Sequence, residues 1–194
     1  NKIAQDFAQA TSLAVVVVNI HGDEISELFN FTPFCQLMRQ HPQHSTRCRM
    51  SDRCGGLEAS KTDQLCIYRC HAGLTDFSIP LVIAGHLVGF VLCGQVRLSN
   101  DVELMDILNV DDRWQDDPAL VQAFRDVPEM DYSRVIASAD LLKLIVENCL
   151  KKQLNFVVIK DNPSQNDPAQ ASRAQMRRAG NGRRSRIAHA GRYP

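Results

Sequence analysis

No stretch of this sequence is apolar for long enough to cross a bilayer. The longest apolar run near the start, LAVVVVNI at 13–20, falls far short of the roughly 20 residues that a spanning helix needs. There is no net charge either, because 22 basic side chains balance 22 acidic ones among 194 residues. Seven cysteines are present but no C-x2-C pair, which weakens zinc ribbons and the commoner iron–sulfur signatures. The sequence holds no P-loop and no glycine fingerprint for dinucleotides. It also has no internal repeat and no N-terminal secretory pattern. An odd number of cysteines without a leader predicts reduced thiols in a cytoplasmic protein that does not contact a membrane.

What is there divides by charge. Residues 1–160 carry a net charge of −5 and residues 161–194 one of +5, the second segment holding seven arginines between Arg173 and Arg192. Apolar periodicity stops near residue 160. The expectation is a sensing domain over 1–160 and a disordered, Arg-rich tail over 161–194.

Within the first segment, Ile3, Phe7 and Ala10 fall at helical spacing. The β-branched run Val15–Val18 then starts a strand that His21-Gly22-Asp23 turns back towards EISELF. Thr32-Pro33 is a capping residue followed by proline, which predicts a short helix with Phe34, Leu37 and Met38 on one side. Ser45–Ser60 reads as a helix broken or capped at Gly55-Gly56. Three strands follow near 67–71, 75–83 and 87–96, with Pro80 marking an edge or a bulge. DVELMDIL and DPALVQAF read as short helices around the single Trp114. A long helix from about Tyr132 to Val158 carries Val135, Leu142, Val146, Cys149 and Leu150 as a stripe, suited to the sheet or to a homodimer. The order predicts an α/β (α+β), PAS-like sensor: a central antiparallel sheet of about five strands, helices on one face and a long C-terminal helix.

Three chemistries compete for the polar residues. Cys35, Cys48, Cys70 and His71 together would make a zinc or iron–sulfur site if the fold brought them together. Cys70-His71 has the composition of a nucleophile and base, but neighbours on a strand point to opposite faces, so the pair does not read as an enzyme centre. A pocket lined by apolar side chains with a few polar ones, such as Asp76, His71 and Gln95, would take a small uncharged polar ligand.

The stretches FNFTPFCQLMR at 29–39, RCRMSDRCGG at 47–56 and YRCHAGLTDFSIPLVIAGHLVGFVLCGQ at 68–95 resemble the PocR sensory domain family over about residues 1–160. That resemblance implies a domain that senses a small diol such as 1,2-propanediol. It implies an AraC-type activator of propanediol-utilisation and cobalamin-synthesis genes, in which DNA is bound by a C-terminal domain that this sequence lacks. Carried over by position, the family's motif falls on Asn30, Phe31, Cys35, Cys48, Ser51, Asp52, Cys70, His71, Gly73, Leu74, Asp76, Phe77, Pro80, Gly94 and Gln95. Asn30, Phe31, Cys70, His71, Asp76, Phe77 and Gln95 are the expected ligand-binding residues. A metal or redox sensor built on Cys35, Cys48, Cys70 and His71 is the alternative.

Overall fold

The computed structural model describes residues 2–62 and 65–160, and side chains within 152–160 are not described. The chain divides into two units, 1–151 and 152–194, and the account below concerns the first. The segment expected to be a disordered tail, 161–194, lies outside the described residues.

The elements are α1 (Lys2–Thr11), β1 (Ala14–Asn19), α2 (Pro33–Gln40), α3 (Ser45–Thr62), β2 (Cys66–Arg69), β3 (Thr75–Ile83), β4 (His86–Leu98), α4 (Pro118–Arg125), β5 (Glu129–Met130) and α5 (Tyr132–Lys160). A 3-10 turn at Arg113–Asp116 carries Trp114. The sheet order is β1-β4-β3-β2, all antiparallel, with the two-residue β5 alongside the end of β4 in parallel. The segment after β1 returns along its outer side through bridges at Val18–Glu24 and Val15–Phe29. The mixed, PAS-like architecture therefore agrees with the expectation. Among the described residues, no helix is long and apolar enough to cross a membrane.

Alternation along the strands sends side chains to two apolar layers. Val15, Phe77, Ile79, Val91 and Cys93 pack with Phe7 and Ala8 of α1 and with Val135, Ala139 and Leu142 of α5. Ala14, Val16, Val18, Phe90 and Leu92 face the other way, with Phe31 and Leu57. The helix layer expected on one face is there in α2 and α3. The opposite face, which the expectation left uncovered, is closed by α1 and the first part of α5. Burying both faces explains why β3 and β4 read as nearly continuous apolar runs.

Several local expectations change. Ile3 and Leu37 are exposed while Ala8 is buried, so the buried stripes of α1 and α2 are narrower than the spacing implied. The helix α3 runs unbroken through Gly55 and Gly56. A Cβ at Gly55 would stand 2.3 Å from the Tyr68 ring, and one at Gly56 would stand 2.2 Å from the Phe90 ring. The glycines bring helix and sheet close together rather than ending the helix. Pro80 lies beyond the register of β2, which spans Thr75–Ser78, so β3 is open on that side there. DVELMDIL forms no helix. It runs extended beside the end of β2, where the Arg69 N–H donates to the Met105 carbonyl and the Ile107 N–H to the Arg69 carbonyl, at 2.9 and 3.0 Å.

Candidate functional site

Three devices bring polar groups together between α2, α3 and the sheet. The first is the loop CHAGL between β2 and β3. The Cys70 N–H donates to the Leu74 carbonyl at 2.8 Å and the Gly73 N–H to the Cys70 carbonyl at 2.9 Å, with Gly73 at φ +89°. A left-handed residue is needed there, and glycine adopts it without a Cβ penalty. The loop carries His71 to α3, where its N–H donates to Ser51 Oγ at 3.2 Å. The Asp111 N–H donates to the His71 carbonyl at 2.7 Å and fixes the loop from outside.

The second device is a bulge in β4. The register slips between Thr75–Val96 and Asp76–Gly94, leaving Gln95 as the extra residue. Gly94 has φ +146° and Gln95 φ +65°. The bulge turns the Gln95 N–H onto Asp76 Oδ1 at 2.8 Å, while Gln95 Oε1 accepts the Thr32 N–H at 3.0 Å. Thr32 is also the cap of α2, its hydroxyl accepting the Cys35 N–H. One glutamine thus ties the sheet to the start of α2.

The third device is a pair of charges on facing helices. Arg39 stands one helical turn from Cys35, and Asp52 one turn from Cys48. The Arg39 Nη2 donates to Asp52 Oδ2 at 2.6 Å and its Nη1 to Glu24 Oε1 at 2.6 Å, with the guanidinium 5.1 Å from the centre of the Phe31 ring.

These groups line two adjoining cavities. One, about 30 Å3, is bounded by Phe34, Cys35, Met38, Arg39, Cys48, Ser51, Asp52, Cys70, His71, Ala72, Asp76 and Gln95. The other, about 20 Å3, shares Arg39, Asp52, Asp76 and Gln95 with it and adds Phe31 and strand residues of β1 and β4. Each has room for one or two water molecules.

Electrostatics keep this region close to neutral. Burial pushes Asp76 up to about 7, against the hydrogen bond from Gln95 that favours its charged form. Asp52 is also raised by burial, with Arg39 opposing. Burial and the nearby Arg47 push His71 down to about 4, so its imidazole is neutral at pH 7. Its Nε2 stands 3.3 Å from Cys48 Sγ, and its Nδ1 is buried without a partner among the described residues. Burial raises the Cys48 thiol to about 12, far above the imidazole, so the proton stays on sulfur. A nucleophilic thiolate–imidazolium pair needs the reverse order. The contact is between a neutral thiol and a neutral imidazole.

Of the seven expected ligand-binding residues, Phe31, Cys70, His71, Asp76 and Gln95 meet at the two cavities. Asn30 and Phe77 do not. Asn30 is exposed at φ +54°, turning the chain into α2, with its Nδ2 directed to the Leu13 carbonyl. Phe77 belongs to the layer under α1 and α5, because its neighbour Asp76 takes the cavity side. The four expected metal ligands all line the first cavity, and Cys48 and His71 lie within hydrogen-bonding distance of each other. Among the described residues, no set of three His, Cys, Asp or Glu side chains converges as ligands to a metal would. Arg39 was not among the expected residues, and Asp52 was expected only as part of the motif. Their one-turn spacing from two cysteines already singled out was the available signal.

A family model described as the sensory domain found in PocR matches residues 1–154. The regulatory protein PocR of Salmonella typhimurium (strain LT2) is 89% identical over 173 residues, which cover 89% of this chain and 57% of that protein. The chain therefore spans little more than half the length of this curated relative. On a match of that extent and identity, the chain belongs to the PocR sensory domain family.

Proposed function

We propose that this chain is the ligand-sensing part of a cytoplasmic transcriptional regulator and that its ligand is a small neutral diol such as 1,2-propanediol, bound without chemical conversion. The observation that carries this reading is the meeting of Phe31, Cys70, His71, Asp76 and Gln95 at two small, charge-balanced cavities. Spaces of about 30 and 20 Å3, with room for only a few water molecules between them, favour a ligand of a few heavy atoms and are too small for a nucleotide or a sugar. Arg39 and Asp52 neutralise each other, so a charged ligand would add an unpaired buried charge.

The partnerless Nδ1 of His71 favours a hydroxyl ligand in particular. If Nε2 donates to Cys48 Sγ, Nδ1 is an acceptor; if the thiol donates to Nε2, Nδ1 carries the hydrogen. A hydroxyl group, both donor and acceptor, suits either tautomer. Five heavy atoms at a ceiling of roughly 1.5 kcal/mol each limit the dissociation constant to a few micromolar at best. Sensing in the sub-millimolar to millimolar range is expected.

In the full-length regulator, DNA binding would fall to a separate AraC-type domain. Exposed Ile136, Leu141 and Leu144 on α5 suit a homodimer contact. Isothermal titration with 1,2-propanediol, glycerol and 1-propanol tests the ligand assignment. Saturable heat from the vicinal diol, absent for 1-propanol, is the expected result. Equal heats from all three, or none, would reject it.

A further inference from the structure

Outside the two cavities lies a larger cleft, about 640 Å3, lined by Asp23, Glu24, Leu28, Gln36, Arg39 and neighbouring residues of α2 and α3. It is open to solvent and meets both cavities at Arg39. Among the described residues, only Arg39 lines the cleft and both cavities. Its side chain is 13% exposed and reaches in both directions, to Glu24 on the cleft side and to Asp52 on the cavity side. Asp52 is nearly covered, whereas Glu24 is 36% exposed.

We propose that Arg39 is the door through which a ligand passes from the outer cleft to the inner cavities, held shut by Asp52 and steadied on the outside by Glu24. The side chain is long enough to rotate about its own bonds without moving α2. A turn towards the cleft breaks the bond to Asp52 and leaves the guanidinium beside Glu24 and water. The two holds are unequal, and the inequality fixes what opens the door. The inner ion pair is nearly buried, and losing one partner there strands a charge. The outer pair is open to water on the Glu24 side, and pairs screened by water contribute less. Asp52 therefore sets how often the door is open, and Glu24 hardly affects it.

This inference rests on the cavities being the ligand site, so its test is made without ligand. The full chain is labelled with iodoacetamide, a neutral molecule about as large as a small diol, and each cysteine is followed by mass spectrometry at one alkaline pH. Cys70 is the reporter. It is buried and lines the cavity, and the carboxylate acting on its thiol is Asp76 rather than Asp52. Cys48 is unsuitable, because besides the burial that raises its thiol, Arg39 and Asp52, the residues to be changed, both act on it. Cys66, on β2 outside the cavities, reports general loosening.

Asp52→Asn keeps a hydrogen-bond acceptor for Arg39 and removes the charge. It should speed labelling of Cys70 relative to Cys66 at least about tenfold, while Glu24→Gln should change that ratio by less than about twofold. In case Asp52→Asn alone unfolds the chain, the pair Arg39→Gln with Asp52→Asn removes both members of the inner ion pair and strands neither. It should label Cys70 at least as fast as Asp52→Asn, because the shortened side chain cannot span the opening. An unchanged ratio in these variants, or equal acceleration at Cys66, would overturn the door. Failure of 1,2-propanediol to bind the wild-type chain would reject the diol and leave the labelling result standing.

Discussion

Replacing Asp76 by asparagine should make the protein more stable above about pH 4, with the full gain reached at and above neutral pH. The carboxyl is pushed from an ordinary 3.8 up to about 7 by burial. Below pH 4 the group is protonated in both the folded and the unfolded chain and costs nothing. As pH rises, the unfolded chain releases the proton first, and the folded chain must either keep it or ionise in a buried place. Stability is thus lost from about pH 4 until the pH passes about 7. At roughly 1.4 kcal/mol per pH unit the loss amounts to about 4 kcal/mol. That is a large share of the 5–15 kcal/mol by which domains are typically stable.

Asparagine retains an Oδ1 to accept the Gln95 N–H and does not titrate. The stability difference between Asp76→Asn and wild type, from urea unfolding at a series of pH values, should be near zero at pH 4 and rise to a few kcal/mol at pH 8. His71, lowered to about 4, destabilises both proteins as pH falls from about 6.5 and cancels in the difference. A difference that does not vary with pH, or one that favours wild type as pH rises, would refute the reasoning.

Gly56→Ala should destabilise the fold by about 1–3 kcal/mol despite alanine's better helix propensity, because the Phe90 ring it would meet is fully buried; urea midpoints would show this. At Gln95, glycine should be better tolerated than alanine by about 1 kcal/mol, since both lose the bond to Thr32 and only alanine is strained at φ +65°. Phe77→Leu should lower stability and leave the affinity for 1,2-propanediol unchanged. His71→Phe, which removes the unpartnered Nδ1, should weaken that affinity by about tenfold, both read by titration calorimetry.

Much of the fold was legible because a few signals were strong. The β-branched run at Val15–Val18, the Ala84-Gly85-His86 turn and the Thr32-Pro33 start each have one local solution, and the structure adopts it. The failures share a cause: they depend on what lies opposite in space. DVELMDIL has helical spacing, but its backbone pairs with Arg69. Gly55-Gly56 looks like a helix end unless the Tyr68 and Phe90 rings beneath it are known.

The site shows the same limit. A motif gathers neighbours in sequence, and Asp76 and Phe77 are neighbours that a strand sends to opposite layers. Conversely, nothing in α2 alone or in α3 alone states that Arg39 and Asp52 face each other. The Cys48–His71 contact joins α3 to the loop after β2 across 23 positions of sequence. Sequence spacing pointed to the adjacent Cys70 instead.

The most direct test of the central claim is a thermal melt of the chain with 1,2-propanediol at about 10 mM, with 1-propanol as the control. A ligand of the native state raises the midpoint in proportion to the logarithm of its concentration over its dissociation constant. The account predicts a higher midpoint with the diol, none with 1-propanol, and a smaller rise in His71→Phe. An equal rise with both alcohols, or a rise that survives intact in His71→Phe, would contradict it.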